Sequence, residues 1–205
     1  LKETRENKEY LPGVRIPVHV KITSDLEKAV SGADCVVLST PSKAVEITAE
    51  AMAPFMKKNA VAVCASKGLA DEAGHRLSEI ISEKFSSVTD RIVVLSGPNH
   101  AEEVGLGLPA ATVAAAVQIV QDVFMRPVFR VYRSDDIRGV EYGGALKNIV
   151  ALACGVQDGI GLGDNCRAAL MTRGLVEMAS FGVHFGARRE TFFGLSGMCD
   201  LVATC

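Results

Sequence analysis

Hydrophobic residues in the first part of the chain form short runs separated by stretches with helical spacing. Four Val-, Ile- or Leu-rich runs predict buried β-strands: residues 34–38, 60–64, 91–95 and 128–132. Apolar side chains three and four positions apart predict helices over residues 42–56, 72–84 and 118–125. Near-continuous apolar strands that alternate with helices are typical of a parallel sheet covered on both faces. We therefore expect a doubly wound, Rossmann-like α/β domain.

The pattern changes after Arg133, where we find no further strand signal. Residues 135–154 and 165–185 each predict one long helix, and short helical segments follow to the end of the chain. We expect a boundary near Ser134, with the α/β domain over residues 1–133 and an all-helical domain over residues 134–205. Since the chain does not begin with Met and ends within an apolar stretch, we expect both domains to be incomplete.

Charge and composition argue against two classes of partner. Lys and Arg number 22 and Asp and Glu 24, so the formal net charge is -2, and aromatic residues are only 5%. Such a chain has neither the positive charge nor the stacking surface that a nucleic acid needs. One long stretch without charge, residues 105–121, contains Pro109 and Gln118 and is shorter than the roughly 20 residues of a membrane span. We expect no nucleic-acid partner and no membrane span.

The six cysteines do not form a metal or redox motif. No Cys-x-x-Cys pair occurs, and no group of cysteines and histidines has the spacing of a zinc site. Most of them lie in apolar runs, which predicts buried thiols in a reducing compartment. We expect no bound metal and a cytoplasmic location.

Three loops follow predicted strands at the edge of the sheet where ligands bind in doubly wound folds. They are residues 40–42, 66–68 and 96–100, and their small residues would let a ligand approach the backbone. Each loop alone is equally consistent with ordinary turns. His100 lies in the third loop and is either packed at a helix start or part of a site. No Gly-x-Gly-x-x-Gly sequence is present.

Lys147 and Asp200 are charged residues in apolar surroundings. Three and four positions from Lys147 stand Gly143, Gly144, Val150 and other small or apolar residues, so Lys147 shares the buried stripe of its helix. Burial would lower the pKa of a lysine and make it a proton donor and acceptor near neutral pH, but a lysine can also extend its ammonium to water. Asp200 is either a buried functional acid or a carboxylate at a helix start.

Several segments together carry a resemblance to a known family. The chain resembles bacterial-type NAD(P)-dependent glycerol-3-phosphate dehydrogenase in segments that occur in the family's order and cover nearly the whole chain. These segments are residues 7–13, 65–69, 96–103, 129–132, 143–148 and 194–205. The most specific are Gly-Gly-Ala-Leu-Lys-Asn at 143–148 and Ser-Gly-Pro-Asn-His-Ala at 96–101.

The resemblance implies reversible reduction of dihydroxyacetone phosphate to sn-glycerol 3-phosphate with NAD or NADP, feeding glycerophospholipid synthesis. It implies that Lys147 is the catalytic proton donor and acceptor. The substrate-binding residues that it implies are Lys67, Gly97, Asn99, Asn148 and Asp200. The cofactor-binding residues that it implies are Tyr10, Lys67 and Ala101. A homodimer is the assembly to be tested.

Two other functions remain open. Another hydroxy-acid or sugar-acid dehydrogenase of this architecture would also place Lys and Asn on the first helix after the nucleotide-binding domain. A non-catalytic protein that binds a phosphorylated ligand or a partner is the third hypothesis. The family's N-terminal glycine loop and its phosphate-clamping Ser-Arg-Asn segment do not occur in this sequence. We therefore expect these 205 residues alone not to bind NAD(H) appreciably.

The connection between Val113 and Gln118 is unusual for an α/β unit. Residues 111–113 predict a strand, and a helix is predicted from Gln118, yet only Ala and Val stand between them. Such connections usually contain turn or N-cap residues. We expect a polar loop of roughly half a dozen residues to be missing from the sequence here.

Overall fold

A computed structural model describes residues 1–115 and 118–205 and has an α/β part followed by a helical part. The strands are β1 (Glu6–Asn7), β2 (Leu11–Arg15), β3 (Cys35–Leu38), β4 (Val61–Cys64), β5 (Ile92–Ser96), β6 (Ala110–Ala115) and β7 (Phe129–Ser134). The α-helices are α1 (Leu26–Val30), α2 (Ser42–Met52), α3 (Leu77–Lys84), α4 (Ala101–Gly105), α5 (Gln118–Phe124), α6 (Ile137–Gly159), α7 (Gly163–His184) and α8 (Asp200–Thr204). Short 3₁₀ segments at Ala53–Phe55 and Arg189–Phe193 and a π-helical turn at Leu195–Cys199 complete the described elements.

Strands β3 to β7 form one five-stranded sheet in the order β3-β4-β5-β6-β7. The predicted Rossmann-like α/β fold is confirmed, and three of the four strand pairings are parallel. The pair β5 and β6 departs from the predicted parallel sheet, since these two strands pair antiparallel. The 13 residues between these strands contain only the short α4, and an antiparallel pair needs no long helical crossover. The small β1–β2 hairpin, not foreseen from the sequence, lies outside this sheet.

The central sheet is covered on both faces, as the apolar strands predict. Alternate side chains of β4 point to opposite faces: Val61 and Val63 pack in a cluster with α5, and Ala62 and Cys64 in a cluster with α2 and α3. Burial raises the pKa of the Cys64 thiol to about 12. In the described residues all six cysteines are free.

The helical part begins directly after β7, which ends at Ser134. The side chain of Asp136 caps the N-terminus of α6 by accepting a hydrogen bond from the Gly139 N–H at 2.9 Å. Helix α6 continues to Gly159, five residues beyond the end predicted at residue 154, and three residues join it to α7. The division into domains at residues 133 and 134 stays a prediction. The expected missing loop concerns residues 116 and 117, which lie outside the described residues.

The start of α7 has no polar side-chain cap. Leu162 precedes the helix and makes no side-chain cap, while Asp164 lies inside its first turn. Gly163 has a φ of +79°, which is unfavourable for residues with a Cβ atom and lets the chain turn here without a polar cap. Within residues 1–115 and 118–205, no helix is long and apolar enough to cross a membrane.

Glycines on α6 differ sharply in what surrounds them, which gives a matched test of helix packing. A Cβ atom at Gly143 would lie 2.8 Å from the Ser196 carbonyl oxygen, whereas a Cβ at Gly155 would meet no atom within 4 Å. We expect Gly143→Ala to lower the free energy of unfolding by about 1–3 kcal/mol through overpacking. Gly155→Ala should raise it by up to about 1 kcal/mol because alanine favours the helix. Urea unfolding of both variants measures this, and equal effects would contradict the packing described here.

Candidate active site

A buried carboxylate between two lysines is the centre of the candidate site. Asp200, the first residue of α8, has only 2% of its surface exposed. Its Oδ1 accepts a hydrogen bond from Lys147 Nζ at 2.7 Å, and its Oδ2 accepts one from Lys67 Nζ at 2.6 Å. Three segments far apart in the sequence are thus joined through one side chain.

Lys67 reaches this carboxylate from the loop after β4. Its Nζ also donates to the Gly97 carbonyl oxygen at 3.2 Å, which ties it to the loop after the neighbouring β5. Gly97 has a φ of +153°, and a Cβ atom there would lie 2.9 Å from Thr112 Cα on β6. Only glycine therefore lets this loop pass so close to β6 and present its carbonyl group to Lys67.

Lys147 reaches the same carboxylate from the buried stripe of α6. A Cβ atom at Gly144 would lie 2.5 Å from Ser96 Oγ, so the small glycines let α6 pack directly on the end of β5. Lys147 is 5% exposed, and its Nζ donates to Asp200 and, at 2.6 Å, to Thr204 Oγ1. Of the two alternatives for Lys147, the buried one is found, and the ammonium does not extend to water.

The electrostatics of this group favour an anionic ligand. Two ammonium groups surround one carboxylate, so one positive charge is left uncompensated within the group. Burial lowers the pKa of Lys67 below its ordinary value, and the hydrogen bond that Lys67 donates to Asp200 opposes that shift. The positive charge of Lys147 lowers the pKa of Lys67 further.

A cleft of about 390 Å³ opens beside Lys67 at the carboxyl ends of β3, β4 and β5. This is the edge where ligands bind in doubly wound folds. Its walls are mainly small or apolar side chains contributed by six different segments. They are Leu11, Ser39, Ala65, Lys67, Leu95, Asn99, Ala101, Val104, Gly105 and Phe129.

The remaining residues implied by the resemblance divide into two groups. Asn99 and Ala101 line the cleft, and Asn99 Nδ2 donates to Thr112 Oγ1 at 3.3 Å. Asn148 is exposed on α6, and no side-chain hydrogen bond joins it to Lys147 in the described part of the chain. Tyr10 lies in the β1–β2 turn with 74% of its surface exposed, while its neighbour Leu11 reaches the cleft.

Thr204 lies near this group and was not predicted from the sequence, whereas His100 was predicted as either packed at a helix start or part of a site. Thr204 stands four positions after Asp200, so both lie on one face of α8, and its hydroxyl donates to the Asp200 carbonyl oxygen at 2.7 Å. The i, i+4 spacing from an already suspected acid was the available signal. His100 Nε2 lies 3.1 Å from the Ala203 carbonyl oxygen, so this histidine connects the third loop to α8 rather than contacting the lysines.

With this geometry, the chain falls in the broad class of α/β proteins that hold a ligand cleft against a helical region. Models of the NAD-dependent glycerol-3-phosphate dehydrogenase N-terminus and C-terminus match residues 1–121 and 136–205. The chain belongs to the NAD-dependent glycerol-3-phosphate dehydrogenase family.

Curated relatives and solved structures agree with this family. Glycerol-3-phosphate dehydrogenase [NAD(P)+] from Moorella thermoacetica is 56% identical over 210 residues, which cover 100% of this chain and 62% of that protein. The protein of the same name from Bacillus subtilis is 48% identical, with coverages of 100% and 61%. A crystal structure of glycerol-3-phosphate dehydrogenase from Coxiella burnetii matches with a TM-score of 0.92 and 37% identity, over 100% of this chain and 64% of that one. This chain thus spans about three fifths of the length of its curated relatives.

The opposite influences of Asp200 and Lys147 on Lys67 give a test of the site's electrostatics. We expect Asp200→Asn to lower the pKa of Lys67, because a stabilising hydrogen bond and negative charge are lost. Lys147→Met should raise it, because a repelling positive charge is removed. NMR titration of lysine side chains labelled with ¹³C at Cε measures both. Shifts in the same direction, or no shift in either variant, would contradict this arrangement.

Proposed function

We propose that the protein is an NAD(P)-dependent sn-glycerol-3-phosphate dehydrogenase that reversibly reduces dihydroxyacetone phosphate. The observation that carries the proposal is the pair of lysines that share Asp200 beside the cleft. A positively charged group containing a buried lysine suits an anionic ketone whose oxygen must gain a proton. The family supports the choice of substrate and cofactor.

Lys147 is the proton donor to the ketone oxygen and the acceptor from the alcohol. An ammonium has three N–H donors, and two of those on Lys147 are directed at Asp200 and Thr204. These two bonds fix the position of Nζ and leave one N–H that can be directed at a substrate oxygen. Positioned acids and bases of this kind are typically worth about 10²–10⁴-fold in rate.

Lys67 binds the anionic substrate and compensates part of its negative charge. Its Nζ is likewise held by two acceptors, Gly97 and Asp200, and its side chain lines the cleft. Asp200 keeps both ammonium groups at a fixed separation and stabilises their charged forms. Asn99 is a substrate contact in this proposal, and Asn148 would take that role only through a change of position, since it is exposed on α6.

The cleft has features that fit the nicotinamide end of a dinucleotide. Its walls are mainly small or apolar residues, and Thr40 Oγ1, next to Ser39 of the cleft, is buried without a hydrogen-bond partner among the described residues. Ala101, at the start of α4, and Lys67 would hold the group there, while Tyr10 would contact it from the hairpin. When bound, the reduced nicotinamide supplies a hydride to the central carbon of the substrate.

We also propose a cytoplasmic location and a homodimer. Six free thiols in the described residues support a reducing compartment. The homodimer rests on no observation of this chain, and analytical ultracentrifugation of the complete protein tests it.

Replacement of Lys147 tests the proposed function. In the complete protein, with NADH or NADPH and dihydroxyacetone phosphate, we expect Lys147→Met to lower kcat by about 10²–10⁴-fold with cofactor affinity retained. The control is Lys58→Met, which removes an exposed lysine away from the cleft and should leave kcat unchanged. Retention of a tenth or more of the wild-type kcat would exclude the assigned role.

A panel of substrates distinguishes the proposed function from the two other functions, another hydroxy-acid or sugar-acid dehydrogenase and a non-catalytic binding protein. We expect oxidation of sn-glycerol 3-phosphate by the wild-type protein and none of unphosphorylated hydroxy acids or sugar acids. Turnover of the latter alone would favour the other dehydrogenases, and binding of phosphorylated ligands without turnover of any substrate would favour the non-catalytic hypothesis.

A further inference from the structure

A second buried charged group lies on α6, six residues before Lys147. Glu141 is 6% exposed, and both oxygens of its carboxylate accept hydrogen bonds from residues at the start of α3. Oε1 accepts from the Ser78 backbone N–H at 2.8 Å. Oε2 accepts from Ser78 Oγ at 2.5 Å and from Arg76 Nη1 at 3.1 Å. Every donor therefore comes from the α/β part, while the acceptor belongs to the helix that carries Lys147.

The guanidinium of Arg76 binds two carboxylates, those of Glu141 and Glu79, which differ in burial and in the parts of the fold that they join. Arg76 is also buried, and its Nη2 donates to Glu79 Oε1 at 2.7 Å. The backbone N–H of Arg76 donates to Glu79 Oε2 at 2.9 Å, a capping interaction at the N-terminus of α3. The Arg76–Glu79 pair is local to α3 and partly exposed, whereas the Arg76–Glu141 pair is buried and joins two parts of the fold.

These bonds hold the first turns of α6 at one position on the α/β part. The hydroxyl of the neighbouring Tyr142 donates to the Gly74 carbonyl oxygen at 3.3 Å. A further hydrogen bond thus joins α6 to the segment that precedes α3. Lys147 follows Glu141 by about 9 Å along the helix axis, at 1.5 Å per residue. A sliding or rotation of α6 would therefore be transmitted along a rigid helix to Lys147 Nζ, which meets Asp200 at 2.7 Å.

A buried ion pair is a costly way to gain stability but an effective way to select one geometry. Apolar packing around Val140 and Tyr142 would hold α6 against the sheet but would tolerate small shifts. The three hydrogen bonds to one carboxylate are directional and do not tolerate them.

We infer that Glu141 is a positioning residue, which, through Ser78 and Arg76, sets the place of α6 so that Lys147 meets Asp200 beside Lys67. This inference rests on the proposed function, since it concerns the residue assigned there as proton donor. Glu141 itself does not contact the cleft.

The test compares Glu141→Gln with Glu79→Gln in the complete protein. Both substitutions remove one negative charge from Arg76 and keep the shape of the side chain, but only Glu141 binds α6 to α3. We expect Glu141→Gln to lower kcat by about ten- to a hundredfold, the range that small misplacement of a reacting group can cost. The KM for dihydroxyacetone phosphate and the affinity for NADH should change little, and Glu79→Gln should leave kcat unchanged.

A second readout does not depend on catalysis. The rate at which acetic anhydride acetylates Lys147 is measured by mass spectrometry, with the exposed Lys58 as internal reference. We expect Lys147 to react several-fold faster in Glu141→Gln than in the wild type and to be unchanged in Glu79→Gln. If Glu141→Gln fails to fold, Ser78→Ala, which removes one of the three donors, should give smaller changes in the same direction.

The outcomes separate this inference from the proposed function. If the wild type reduces dihydroxyacetone phosphate but Glu141→Gln has the wild-type kcat and acetylation rate, the positioning role is wrong and the proposed function stands. If the wild type does not reduce that substrate, the proposed function fails, and the acetylation rates alone decide whether Glu141 positions Lys147. Equal effects of Glu79→Gln and Glu141→Gln would reduce Glu141 to a general stabilising residue and overturn the inference.

Discussion

The constraint on which the site depends is that one buried carboxylate, Asp200, is the common partner of two ammonium groups, those of the buried Lys147 and the partly buried Lys67. A buried ammonium without a partner is strongly disfavoured, so Lys147 needs a carboxylate within reach, and Lys67 shares it. Asp200 does so with one oxygen for each lysine. The loop after β4, helix α6 and helix α8 are therefore held to one another by charge as well as by apolar contacts.

Close backbone approach makes this arrangement sterically possible. Gly97 lets the loop after β5 pass beside β6, and Gly143 and Gly144 let α6 pack against Ser96 and Ser196. Between α6 and the α/β part, Glu141 adds a second polar connection through Ser78 and Arg76. Two buried carboxylates, one on α6 and one on α8, thus define where the helical part meets the sheet.

The local pattern of the sequence predicted the strands well and their pairing less well. Apolar runs such as that at 60–64 identify buried strands because the whole strand lies inside. The antiparallel pairing of β5 and β6 depends on the path of a 13-residue connection, which hydrophobic periodicity does not record. Helix α6 extends to Gly159 despite the weak helix preference of its glycines, and among residues 155–159 Gln157 is buried while the others are exposed.

The same reasoning explains which site residues could be found. Lys147 and Asp200 stand out because a charged residue within an apolar stretch needs a partner, but nothing in the sequence links two residues 53 positions apart. Glu141, between Val140 and Tyr142, carries the same signal of a charged residue with apolar neighbours. Roles taken from the resemblance could not be separated by pattern alone, as the exposed positions of Tyr10 and Asn148 illustrate.

The central claim, that one buried carboxylate is the common partner of Lys147 and Lys67, is tested most directly by a stability cycle of Asp200 and Lys147 in the complete protein. We expect Asp200→Asn to lower the free energy of unfolding by about 3–5 kcal/mol, because the lysines lose their common partner. Adding Lys147→Met should restore a large part of that loss, because one unpaired charge is then removed. The account would be contradicted if Asp200→Asn were as stable as the wild type, or if the two substitutions lowered the stability additively, as independent sites do.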